Sequence, residues 1–245
     1  MSRTLRKRVE YPGDVEDAMP EGNLARWLAN YVVETILRVV GVLQRHAVYA
    51  NLPIYYVEGD PRRHVSPDAF FLVGVPFNPE LESYRLWENR VVPCVTFEIL
   101  SRGSKKKDRV KNRAIYAELG IEEYYWFDPK KATLQALRLE PASGAYVEIQ
   151  PDSAGRFHSP RLGLDVGVEG KLLGLYRQGQ YLLPSEELLT KLGDEIATLR
   201  GALVASEQEI AARDQEIAAR DRDLAEAKSQ REALERRLRE LEKGR

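Results

Sequence analysis

The sequence predicts an α/β or α+β domain followed by a long coiled-coil helix. Three patterns indicate this architecture. Apolar residues recur at helical spacing from about Glu21 to Arg45, and short apolar runs bounded by Gly, Pro, Asn and Asp then continue to about Leu183. Past Pro184 the composition changes to Glu, Arg, Ala and Leu without any aromatic residue. We therefore divide the 245 residues into an irregular lead-in (1–20), a globular domain (21–184) and a coiled coil (185–245).

The composition excludes several classes of protein. The formal net charge is −1, so any affinity for nucleic acid must come from a local patch. The one cysteine, Cys94, can form neither an intramolecular disulfide nor a thiolate metal site, which fits a reducing cytoplasm. No apolar segment follows the basic start MSRTLRKR, and no run of about 18 uncharged apolar residues could cross a membrane. We expect a cytoplasmic protein without a membrane partner.

The first helix is predicted from an inward-facing stripe with spacings of three and four residues. Glu21 lies in its first turn, where a carboxylate interacts favourably with the helix dipole. This capping role is the favoured interpretation of Glu21, and a catalytic role is the alternative. The apolar positions of the stripe are Leu24, Trp27, Leu28, Tyr31, Val32, Ile36, Val39, Val40 and Leu43.

Beyond His46 the periodicity changes to that of strands. The polar segment 80–90 is predicted to be a short connection, and residues 141–144 the turn of a hairpin. Further short strands are expected up to about Leu183. The predicted strands with definite bounds are Val48–Leu52, Ile54–Glu58, Pro67–Val75, Val95–Leu100, Glu123–Phe127, Thr133–Leu139 and Ala145–Gln150.

Two acids on these strands suggest chemistry. Glu98 interrupts an apolar strand, where an ionised carboxylate is costly unless it is paired or binds a metal. Asp68, after Pro67, begins another strand. If the strands are neighbours, the two carboxylates could hold Mg²⁺ (or Mn²⁺) for phosphodiester hydrolysis. The alternative is that each acid is merely capped or salt-bridged.

A basic segment follows the Glu98 strand and continues into a helix that ends at Leu119. Lysine and arginine dominate sequence-independent binding to phosphates, so this segment could form a DNA-binding rim beside the acids. The alternative is an ordinary solvated helix face. The basic residues are Arg102, Lys105, Lys106, Lys107, Arg109, Lys111 and Arg113.

The tail has a heptad pattern that never slips. Twelve of its sixteen seam positions are apolar, and QEIAARD occurs twice in succession at 208–214 and 215–221. A 3.5-residue repeat of this length is typical of a coiled coil and predicts a homo-oligomer, with a solitary charged helix as the alternative. The seam is Leu189, Leu192, Ile196, Leu199, Leu203, Ser206, Ile210, Arg213, Ile217, Arg220, Leu224, Ala227, Arg231, Leu234, Leu238 and Leu241.

Residues 53–129 closely resemble the Uma-two family of restriction-endonuclease-like proteins, within the PD-(D/E)XK nuclease superfamily. The matching segments are IYYVEGDPRRHVSPDAFFLVGVP, FEILSRGSKKKDR and IYAELGIEEYYWFDP, in this order, with weaker likeness from about Glu21 to Leu183. The resemblance implies a mixed sheet with flanking helices, DNA as substrate and a metal held by Asp68 and Glu98. It also places the first-helix glutamate of the family on Glu21.

The chain departs from this family at one position. The family usually carries a lysine four residues after the aspartate of the post-strand helix, and that position here is Asn112. Lys111 lies one residue early, about 100° around the helix, and Lys105 lies two turns back on nearly the same face. The chain is therefore either a slow endonuclease, an endonuclease using Lys111 or Lys105, or a catalytically impaired scaffold or DNA-binding protein.

Overall fold

The computed structural model describes residues 9–12, 23–40, 46–101 and 106–243, with side chains omitted at 106–109 and 237–243. The chain forms two compact units, Met1–Ser185 and Glu186–Arg245. The helices are α1 (Asn23–Val40), α2 (Leu86–Asn89), α3 (Lys106–Leu119) and α4 (Ser185–Lys243). The strands are β1 (His46–Ala50), β2 (Ile54–Tyr55), β3 (His64–Val65), β4 (Ala69–Val73), β5 (Tyr84–Arg85), β6 (Val95–Ile99), β7 (Glu123–Asp128), β8 (Thr133–Glu140), β9 (Ala145–Glu148), β10 (Phe157–Ser159), β11 (Leu164–Glu169), β12 (Leu172–Arg177) and β13 (Gln180–Tyr181).

A six-stranded mixed sheet in the order β1-β4-β6-β7-β8-β9 organises the first unit. Its central pair, β6 and β7, is parallel, and the other neighbours are antiparallel. Parallel neighbours need a crossover connection, which α3 supplies between β6 and β7. A four-stranded antiparallel sheet (β10–β13) and a three-stranded sheet (β3-β2-β5) complete the unit. The predicted mixed α/β fold class is confirmed.

The two faces of the six-stranded sheet carry separate apolar cores. On one face, Val95, Phe97 and Ile99 of β6 pack with α1 and with residues of the four-stranded sheet. The Tyr31 hydroxyl of α1 fixes this layer, since it donates to the Leu182 carbonyl (2.8 Å) and accepts from the Leu175 amide (3.0 Å). The opposite face packs against α3 and the three-stranded sheet. Alternate residues of β6, including Glu98, therefore face α3.

The segment 80–90 differs from its prediction as a plain connection. It contains β5, which pairs in parallel with β2, and the single-turn helix α2. Arg90 ends α2 in the left-handed conformation at φ 55°. Elements of two and four residues are too short for a hydrophobic period to appear in sequence.

Glu123 is a buried acid on the α1 side of the sheet. It is 1% exposed, and its carboxylate accepts hydrogen bonds from the hydroxyls of Ser159 and Tyr125. Burial raises the pKa of Glu123, and the two hydrogen bonds oppose that rise. The Ser159 bond links the six-stranded sheet to β10, so Glu123 joins two layers of the unit.

The second unit consists of one helix, α4. Apolar side chains of the seam are largely exposed along it, among them Leu189 at 70% and Leu199 at 66%. Each seam arginine bonds a glutamate one turn away on the same helix: Arg213 to Glu209, Arg220 to Glu216 and Arg231 to Glu235. In the described part of the chain, no helix is both long and apolar enough to cross a membrane.

Candidate active site

Asp68 and Glu98 lie opposite each other on neighbouring strands. In the antiparallel pairing of β4 with β6, Ala69 faces Phe97 and Phe70 faces Thr96. Extending this register by one residue places Asp68 opposite Glu98. Directly opposed residues of an antiparallel pair project to the same face, with Cβ atoms about 4.5–5.5 Å apart. The structure thus brings the two predicted acids together on the α3 face, where both are partly exposed.

Asp68 also closes the hydrogen-bond ladder between β4 and β6. Its Oδ2 accepts the backbone N–H of Ile99, the last residue of β6. This bond holds the Asp68 carboxylate against the β6 backbone, beside the origin of the Glu98 side chain. Asp68 therefore has a structural task at the strand end in addition to any chemical one.

Two side chains of α3 donate to the same oxygen of Glu98. The Tyr116 hydroxyl lies 2.5 Å from Oε1 and the Asn112 amide nitrogen lies 3.2 Å from it. Residues 112 and 116 are one helical turn apart, so they occupy one face of α3. The amide of Asn112 thus lies where the resemblance places a lysine.

Tyr116 is a rigid donor. Its ring is fully buried and stands edge-on to Tyr124, with centroids 5.3 Å apart. Burial raises its pKa well above the ordinary value, and the nearby charge of Glu98 and, more weakly, of Asp68 adds to this rise. The Tyr116 hydroxyl consequently keeps its proton at any ordinary pH.

The end of α3 fixes the position of Tyr116. The Ile121 amide bonds the Tyr116 carbonyl (3.0 Å) and the Gly120 amide bonds the Ala117 carbonyl (3.1 Å). Gly120 lies at φ +81°, so the pair of bonds forms a Schellman stop, for which glycine is favoured. The sequence signal is the Leu119-Gly120 step, and its consequence is a last turn closed by two backbone hydrogen bonds with Tyr116 at its start.

The remaining predicted catalytic residues are placed differently. Lys111 is exposed on α3, and among the described contacts no hydrogen bond or ion pair joins it to the acids. Glu21 and Lys105 lie outside the described residues, so their predicted roles stay predictions.

The predicted DNA-binding rim lies at the start of α3. Its first turn and a half contains Lys106, Lys107 and Arg109, of which the structure describes the backbone alone. Arg113 is occupied elsewhere, since it donates to the Tyr146 carbonyl of β9 (2.9 Å) and so holds α3 onto the sheet. DNA binding by Lys105, Lys106, Lys107 and Arg109 therefore stays a prediction.

The acid pair offers oxygen ligands of the kind that Mg²⁺ takes. Mg²⁺ prefers oxygen ligands, keeps several waters, and is commonly held by one or two carboxylates together with substrate phosphates. Asp68 and Glu98 supply two carboxylates on one face. No cluster of three or more His, Cys, Asp and Glu side chains suited to a metal is found among the described residues. The residues present fit a cation that is completed by water and phosphate.

The sequence analysis did not single out Tyr116. The residue is buried, yet its hydroxyl reaches the acid. The available signal was its spacing of four from Asn112, the position already singled out. Glu123 was missed as well, because its partner Ser159 is remote in sequence.

Comparison with known proteins gives a family and similar solved structures. The Uma2 family model, described as "Putative restriction endonuclease", matches residues 3–175. The chain is similar to the crystal structure of "a putative nuclease belonging to DUF820" from Anabaena variabilis, with 19% sequence identity and a TM-score of 0.45. That similarity covers 60% of this chain and 78% of the other. No curated protein matches the chain.

Proposed function

This chain belongs to the Uma2 family of restriction-endonuclease-like proteins, and from that premise we propose that it is a Mg²⁺- or Mn²⁺-dependent DNA endonuclease. The observation that carries the proposal is the pairing of Asp68 with Glu98 on one face of the sheet, beside α3. Family membership supports the reaction class, and the acid pair supports the proposed place of the cation.

In the proposed mechanism, Asp68 and Glu98 are the residues that would hold the cation. When bound, Mg²⁺ polarises the scissile phosphate and lowers the pKa of the attacking water. The chain itself does the positioning. Tyr116 and Asn112 hold Oε1 of Glu98, and the Ile99 amide holds Asp68, so both carboxylates keep their places before substrate arrives. The basic start of α3 would bind the DNA backbone.

Asn112 makes the proposed enzyme slow. Its amide can donate a hydrogen bond but carries no positive charge to offset the negative charge of the transition state. Loss of one such donor typically costs about 2.7–4 kcal/mol, or about 10²–10³ in rate. The loss of that charge does not by itself prevent binding of the cation or of DNA.

The test is a plasmid-nicking assay with Mg²⁺ or Mn²⁺ on the full chain. Asp68→Asn and Glu98→Gln keep the hydrogen-bond acceptors and remove one charge each, so they should abolish nicking without unfolding the protein. Asn112→Lys should raise the rate by about 10²-fold or more. Asn112→Met is the matched control: methionine is uncharged and nearly as long as lysine, and it should not raise the rate. Absence of divalent-cation binding by calorimetry would exclude the mechanism.

A second candidate function is favoured by Asn112 itself. A protein that lost its catalytic lysine but kept its acids could bind DNA without cutting it, as a scaffold. The two functions differ in one outcome. A scaffold would bind DNA in the presence of Mg²⁺, and the Asn112→Lys substitution would not make it cut DNA.

Oligomerisation through α4 is part of the proposal. Its support is the row of exposed apolar side chains, since burying each one fully is worth roughly 1.5–3 kcal/mol. We expect the full chain to be at least dimeric at micromolar concentration. Truncation after Pro184 should lower the mass in sedimentation while the first unit stays folded, and a monomeric full chain would contradict this.

A further inference from the structure

Helix α4 carries a seam that is complementary to itself in one orientation. We propose that α4 pairs with α4 of a second copy as a parallel, in-register, two-stranded coiled coil. This inference rests on the oligomerisation proposed above and adds to it the partner, the orientation and the number of strands.

The exposed side chains identify a helix as the occupant of the seam. Nine large apolar side chains at seam positions of α4, from Leu189 to Leu234, are between 44% and 70% exposed, and they follow the alternating three- and four-residue spacing. A stripe this narrow is matched by another helix with the same period, because each side chain then inserts between four residues of the facing helix. The long acid- and arginine-rich flanks leave no wider apolar face for a globular partner.

The polar seam positions select the parallel orientation. In a parallel, in-register pair every seam residue faces its own copy, so twelve of the sixteen layers are wholly apolar and arginine occurs in three. In a fully overlapped antiparallel pair, Arg213 would face Ile217, Arg220 would face Ile210, and Arg231 would face Leu199. Each of these contacts occurs twice, so arginine would enter six layers and only eight would stay wholly apolar. Since a charge within an apolar layer is costly, the parallel pair is favoured.

Two of the three arginine layers, those of Arg213 and Arg220, are also neutralised in the parallel pair. In heptad terms Arg213 and Arg220 are d residues, each preceded by a g glutamate that it bonds at 2.7 and 2.8 Å. Each is followed by an e aspartate, Asp214 or Asp221. The e residue of the partner borders the hole that receives a d side chain, so the aspartate lies beside the partner's arginine. Arg213 and Arg220 thus each lie beside two acids, which offset the repulsion between the facing arginines.

The same residues favour two strands over three or four. In a two-stranded coil the e and g flanks stay open to water, and a long arginine stem can lie along the seam while its charge reaches the flank. Added strands would close those flanks over Arg213, Arg220 and Arg231. A polar seam residue of this kind specifies strand number and register at a cost in stability. Sliding by one heptad would spread arginine over five layers.

The orientation has a consequence for the proposed cleavage. Each α4 begins at Ser185, where the first unit ends, so a parallel pair joins two first units at the same end of the coil. An antiparallel pair would attach them to opposite ends of helices about 88 Å long, from 59 residues at 1.5 Å each. Two sites at one end can act on both strands of one duplex, so a nick made by one site becomes a double-strand break when the second site cuts the other strand.

Disulfide trapping of the full chain tests the orientation. Ser206→Cys and Leu224→Cys, carrying tags of different mass, are co-expressed and oxidised. In the parallel pair each cysteine meets its own copy, within the range of about 4.4–6.8 Å that a disulfide spans between Cα atoms. We expect disulfides that join two copies of the same variant and none that join one variant to the other. The wild-type chain is the control, because burial raises the pKa of Cys94 to about 12 and leaves its thiol unreactive.

Disulfides only between the two variants would show an antiparallel pair and overturn the proposal. A monomer or a trimer in sedimentation would overturn it as well. These measurements do not use catalysis, so failure of the nuclease proposal shows separately, as loss of cation binding and nicking in a chain that still forms its disulfides.

Discussion

Replacing Tyr116 by phenylalanine removes a single oxygen atom from the core and tests the site directly. The ring keeps its packing against Tyr124, and Glu98 loses the closer of its two α3 donors. A hydrogen bond to a charged group contributes about 1.5–3 kcal/mol, whereas one between neutral groups contributes about 0.5–1.5 kcal/mol. We therefore expect Tyr116→Phe to lower the free energy of unfolding by about 1.5–3 kcal/mol in urea at about pH 7.5.

The matched control is Tyr146→Phe. Tyr146 belongs to the same core, and its hydroxyl donates 2.7 Å to the neutral Ile121 carbonyl. This variant should lose only about 0.5–1.5 kcal/mol and should leave cation affinity unchanged. Tyr116→Phe should also weaken cation affinity by about 10–100-fold, since it loosens a group that orients a ligand.

A double-mutant cycle with Glu98→Gln isolates the charge. In the background of the Glu98→Gln variant, Tyr116→Phe should lower the free energy of unfolding by about as little as Tyr146→Phe does. The coupling energy between Tyr116 and Glu98 should therefore be about 1 kcal/mol or more. An equal loss in both backgrounds would mean that Tyr116 contributes packing alone, and the positioning role assigned to it would be wrong.

Three other perturbations address separate parts of the chain. Folding raises the pKa of Glu123 above its ordinary value of 4.5, so the folded chain binds this proton more tightly than the unfolded chain. The folded state therefore loses stability as the pH rises from the ordinary pKa through the raised one. Glu123→Gln should therefore stabilise more at pH 8 than at pH 4 in urea titrations, and a constant difference would contradict the burial cost. Reversing the charge of 105–107 should weaken DNA binding and flatten its salt dependence, and an unchanged slope would leave these lysines as ordinary surface. Leucine at the three seam arginines should raise the melting temperature of α4 or change the sedimentation mass, and no change in either would argue against the seam; these are Arg213, Arg220 and Arg231.

The segment from β6 to β7 was predictable because each element there has a strong local signal. The apolar run of β6, the helical period up to Leu119 and Gly120 after it predict strand, helix and stop to within a residue or two. Glu98 stood out because an acid in such a run is costly. The family resemblance, confirmed by the family model, supported the choice of Asp68 and added the importance of position 112.

The register that makes a site of these residues could not be predicted. Asp68 meets Glu98 because β4 and β6 are neighbours with Ala69 opposite Phe97, and no local pattern determines that alignment. Strand pairing is set by packing of both faces of the sheet, which involves α1 on one side and α3 on the other. Tyr116 illustrates the same limit, since a buried tyrosine has the same sequence signature whether or not its hydroxyl finds an acid.

The bond from the Ile99 amide to Asp68 provides the protein with a built-in spectroscopic probe. Because this amide proton lies directly on the Asp68 carboxylate, its nitrogen and proton resonances should respond when that carboxylate takes on a cation. Isotope labelling of isoleucine and a titration with Mg²⁺ would then follow site occupancy at one residue, without DNA and without turnover. Hydrogen exchange at the same amide would report, over minutes to hours, how often the end of the β4–β6 ladder opens.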